Sequence, residues 1–134
     1  MKPSEEMMLR LYHKLGKLFY AVAASDAEVK KEEAEKLYEI VKSDWLPVED
    51  AEDDFGSDAA FQIISAFDLL NDARASSTSC MKQFEDFYKS HKYLFTDKIK
   101  KLTMLTANAI ASSFRGKNKS ELIIIQEIQH LFRG

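Results

Sequence analysis

The sequence has one cysteine, Cys80, and only four glycines and two prolines. A single thiol excludes any internal disulfide and agrees with a reducing compartment. So few helix breakers leave room for long helices and argue against collagen-like or low-complexity architectures. No uninterrupted apolar run approaches the ~18 residues of a membrane span. Neither a Gly-rich phosphate loop nor a nucleophile elbow nor a local Cys–His pairing is present as a motif. His13, His91 and His130 share no helix spacing, so no zinc motif is formed. No catalytic residue is therefore assigned and no enzyme is expected. A hydrolase whose groups assemble only in space is the competing reading.

Basic residues are missing from one whole stretch. Residues 43–73 carry nine acidic side chains and no basic one, residues 1–42 carry eight of each, and residues 74–134 carry eleven basic against five acidic. Such polarity suits neutralisation within the fold, or a protein partner or second copy held by salt-sensitive attraction. Lys98, Lys100, Lys101, Arg115, Lys117 and Lys119 have no interleaved aromatic platform in a chain whose net charge is −3, so no nucleic acid is expected. Insertion into a membrane is not expected either. The opening Met1–Glu6 lacks the basic-then-apolar order of a leader, and a cytoplasmic location follows as the expectation.

What is present is helical periodicity on a scale that fits one domain over residues 1–134. From Glu5 to Ala24, Met8, Leu11, Tyr12, Leu15, Leu18, Phe19 and Val22 recur at steps of three and four, with Ser4 placed as the cap. A second helix is expected over residues 30–42, ended by Pro47 and the acidic stretch. A third runs from a Ser57 or Asp58 cap to about Asn71, and a fourth over residues 78–90 after a hydroxyl-rich turn. A fifth, from Thr96 or Asp97 to about Ser113, is apolar nearly all round and reads as the central helix. Asn118-Lys119-Ser120-Glu121 has the spacing of a capping box and opens a sixth helix through Phe132. The fold class is thus all-α, a compact domain of about six to seven helices.

A shift of 88 residues lays Ala21–Ser25 over Ala109–Ser113, Glu33 over Glu121, and Leu37 and Ile40 over Ile125 and Ile128. Two pseudo-repeated helical hairpins therefore bracket the chain. The run Leu18-Phe19-Tyr20-Ala21-Val22-Ala23-Ala24-Ser25-Asp26-Ala27-Glu28-Val29-Lys30-Lys31-Glu32-Glu33 resembles the hairpin of the tellurite-resistance TerB-like family, an alanine-rich helix followed by Asp-Gly and a Glu-bearing helix. The resemblance is strong over residues 11–42 and weaker over 102–132. It implies an all-α fold of two hairpins, a bacterial stress-response role, and divalent-cation binding by acidic residues.

Two departures bear on that implication. Ala27 stands where the family has Gly, and alanine tolerates a left-handed turn poorly. In the second copy Phe114 falls opposite Asp26, so only Glu121 survives there as an acid. Asp26, Glu28, Glu32 and Glu33 remain as candidate metal ligands in the first hairpin. They do not make an EF-hand, because its first two ligand positions would be Val22 and Ala24. The run Glu49–Asp58 also fails, with Gly56 one place late and Phe61 at the twelfth position. Without a metal, the hairpin acids stabilise the start of the second helix. A non-enzymatic protein-interaction module is the first expectation, with no cofactor. A regulatory domain holding a weakly bound divalent cation is the alternative.

Overall fold

The computed structural model describes residues 4–47, 59–114 and 116–133. Among the described residues six α-helices lie with both ends, and no strand occurs: α1 (Glu5–Ala23), α2 (Lys31–Ile40), α3 (Gln62–Ala73), α4 (Ser77–Ser90), α5 (Asp97–Ser112) and α6 (Lys119–Arg133). Each expected helix is present. The third runs two residues past Asn71, to Ala73, and stops where Arg74 turns left-handed (φ 51°). The acidic run 48–58 lies outside the described residues. With it go the expected Ser57 or Asp58 cap and most of the second loop considered for calcium.

Hydroxyl caps set three of the helix starts. Ser4 Oγ accepts from Met7 N–H, Ser76 Oγ from Ser79 N–H, and Thr96 Oγ1 from Ile99 N–H. The second helix does not end at residue 42: α2 passes into a π turn, Val41–Trp45, that keeps the chain helical up to Pro47. That wider turn delivers Trp45 into the interior, fully buried against Tyr12 and Phe19.

The central helix is α1, not α5. Leu11, Tyr12, Leu15, Leu18 and Phe19 are wholly buried, and α1 packs against each of α2 to α6. Helix α5 carries apolar residues around its circumference, but Leu105 is 52% exposed, while Thr103 and Thr106 occupy buried positions. Those threonines fit indoors because each hydroxyl donates back to its own helix, to the carbonyls of Ile99 and Leu102. Hairpin α1–α2 and hairpin α5–α6 lie side by side, α2 against α5 and α5 against α6, so that the starts of α2 and α6 come together.

Candidate functional site

Each hairpin loop ends in an acid at the third position of the following helix. In the second hairpin Asn118 Oδ1 accepts from Glu121 N–H at 2.8 Å while Glu121 Oε1 accepts from Asn118 N–H at 3.0 Å, the reciprocal capping box read from the sequence. The first hairpin makes half of the same device, Lys30 N–H donating to Glu33 Oε1 at 2.7 Å. Both glutamates are drawn inward by these bonds, Glu33 to 3% exposure and Glu121 to 2%.

There the Glu121 carboxyl comes near enough to Glu33 to act on its titration. Two like charges so placed, with little water, cannot both ionise cheaply. Burial, above all, pushes the Glu33 carboxyl up to about 8. Glu121 and the negative charge of nearby Asp26 add to the rise, and the Lys30 N–H opposes it. Near neutral pH the Glu33 carboxyl therefore holds its proton.

The loops interlock around this pair. Asn118 Nδ2 donates to Asp26 Oδ2 at 2.9 Å, and Asp26 Oδ1 accepts from Glu28 N–H. The Lys30 ammonium lies over the Phe114 ring, 5.4 Å from its centroid. Asp26 stays exposed, so the assembly has an acidic rim above a buried acid pair.

Of the four candidate ligands, the fold brings Asp26 and Glu33 into one neighbourhood. Glu28 turns to Lys30, 2.7 Å away, and Glu32 lies on the exposed side of α2 beside a shallow groove with Glu35 and Glu39. Glu121 and Asn118, which were not among the candidates, complete the cluster. Among the described residues no group of three or more His, Cys, Asp or Glu side chains is arranged to hold a metal ion.

The backbone departure at Ala27 is resolved in an unexpected direction. Ala27 does adopt the left-handed conformation, φ 72°, in spite of its Cβ. In the second loop Gly116 takes that role at φ 78°. It falls one place away from Ala27 in the 88-residue register, which hid the equivalence.

A cavity of about 720 Å³ lies where the end of α1 meets the α3–α4 turn, lined by Tyr20, Ser25, Asn71, Arg74 and Ser77 among others. Most hydroxyls there are committed: Tyr20 donates to the Ala75 carbonyl, Ser77 to the Ala21 carbonyl, and Ser76 caps α4. No helix of the described residues is long and apolar enough to cross a membrane. Comparison with protein-family models, with curated proteins and with solved structures found no match.

Proposed function

We propose that this chain is a non-enzymatic interaction module whose two hairpins are coupled by the Glu33–Glu121 carboxyl pair, and that the occupant of the pair, a proton or a divalent cation, sets how firmly they are held. One observation carries the reading. Two acids from separate halves of the chain meet in the interior, where a single positive occupant must answer their charge. A proton serves at low pH. At higher pH a divalent cation can replace it, with the remaining oxygen ligands drawn from water.

The stress-response role and a cytoplasmic location rest on the resemblance of the first hairpin and on composition.

The test is calorimetric titration of the chelator-treated chain with Mg²⁺, Ca²⁺, Mn²⁺ and Zn²⁺ at pH 6 and pH 8, beside a Glu33→Gln, Glu121→Gln variant. Stoichiometric binding at the higher pH, with proton release and loss in the variant, supports the cation form. Absence of binding together with pH-dependent stability that the variant abolishes leaves the proton as the occupant. A chain indifferent to both sinks the proposal.

A further inference from the structure

Five ion pairs of the described residues are local, joining lysines of the first hairpin loop, α2 and α4 to carboxylates no more than four residues away. One row of cations takes no part in them. Arg10, Lys14 and Lys17 stand at steps of four and three on one face of α1, with His13 beside them. They follow the seam between α1 and α4: the Arg10 guanidinium lies 5.8 Å from the Phe87 ring centroid, and Lys17 donates to the Gln83 side chain.

Like charges at this spacing destabilise a helix. Here they are also partly withdrawn from water, since His13, Lys14 and Lys17 are all half-buried. Burial first, then the charges of Lys17 and Arg10, hold the Lys14 ammonium below its usual range; burial, Lys17 and Lys14 do the same to His13. The row is a local cost that no carboxylate among the described residues offsets within ion-pair distance. A countercharge from outside the chain would relieve it.

We propose that the Arg10–Lys14–Lys17 row on the α1–α4 seam docks an acidic peptide segment of a partner protein. Seven residues of helix advance about 10 Å, the reach of three to four residues of extended chain, so a short run of Asp and Glu can set its carboxylates against the row. Nucleic acid fits less well. Affinity for a phosphate backbone is built from many contacts, and a stripe of three cations on a chain of net charge −3 supplies few. The inference rests on the interaction-module reading and names its surface, but it does not depend on the Glu33–Glu121 pair.

The experiment uses the intact chain and a fluorescent oligoglutamate peptide, with binding followed by anisotropy at low and physiological salt. His13 is titrated by NMR with and without the peptide. Saturable, salt-sensitive binding is expected, weakened roughly tenfold by Lys14→Gln with Lys17→Gln. Lys31→Gln with Lys36→Gln, which removes the same charge from α2, should leave the affinity within about twofold. Bound peptide should also raise the His13 pKa. The proposal is overturned by no binding at low salt, by equal losses in the two double variants, or by stronger binding of a single-stranded oligonucleotide or of anionic lipid vesicles through the same lysines. Glu33→Gln should bind the peptide as the unaltered chain does, so failure of the carboxyl-pair reading would register separately.

Discussion

Gly16 of α1 faces Ile63 of α3 so closely that a Cβ on Gly16 would sit 2.6 Å from the Ile63 carbonyl oxygen and 2.7 Å from the Ala66 Cβ. A glycine inside an apolar helix costs about 1 kcal/mol relative to alanine. Here that cost permits the backbones of α1 and α3 to approach, and this contact is the broadest helix pairing in the domain.

Gly16→Ala should therefore destabilise the chain by about 1 to 3 kcal/mol, although alanine is the better helix former. The denaturant midpoint measures it; an unchanged midpoint would mean that α1 and α3 separate without penalty.

At Ala27 the same exchange runs the other way. Its φ of 72° strains any residue with a Cβ, so Ala27→Gly should stabilise by a few tenths to about 1 kcal/mol, the relief exceeding the added freedom of the unfolded chain. A lower melting temperature in this variant would show that the loop has a different backbone in solution.

The carboxyl pair gives stability a sign with pH. Glu33 titrates near 4.5 when unperturbed and is raised to about 8 in the fold, so between those values the native chain holds a proton that the unfolded chain has released. The associated stability is fully present below about pH 4.5 and is lost as pH rises through about 8, a few kcal/mol at most. Glu33→Gln keeps the shape, offers an amide N–H to Glu121 and should flatten this dependence, becoming the more stable form at pH 8. Parallel slopes for both proteins from pH 5 to 8 would show that Glu33 is already ionised.

Trp45 donates its indole N–H to Thr106 Oγ1 at 3.0 Å in the interior. Thr106→Val is nearly isosteric but leaves that donor without its acceptor, which should cost about 1 to 3 kcal/mol. Thermal unfolding followed through the fluorescence of Trp45, the sole tryptophan, reads this directly.

Much of the scaffold was legible because its signals are local. The α1 stripe from Met8 to Val22, the Ser4 cap and the Asn118–Glu121 box depend on residues within a turn of one another, and all are present in the structure. The register placing Glu33 over Glu121 was also visible. Their contact was not, because helical spacing fixes neighbours along one helix and says nothing of which side chains meet between two. For the same reason Glu28 and Glu32 stood among the candidates beside Asp26 and Glu33 until the fold turned them away.

The sequence alone thus determined six amphipathic helices and the capping acids at the starts of α2 and α6, since apolar periodicity and cap chemistry act over four residues or fewer. Tertiary structure decided that α1 rather than α5 is the spine, because close approach at Gly16 outweighed the apolar circumference of α5. It also decided that the two acids come together in the interior, where burial, with Glu121 beside it, raises the Glu33 carboxyl well above the usual range of a capping carboxylate.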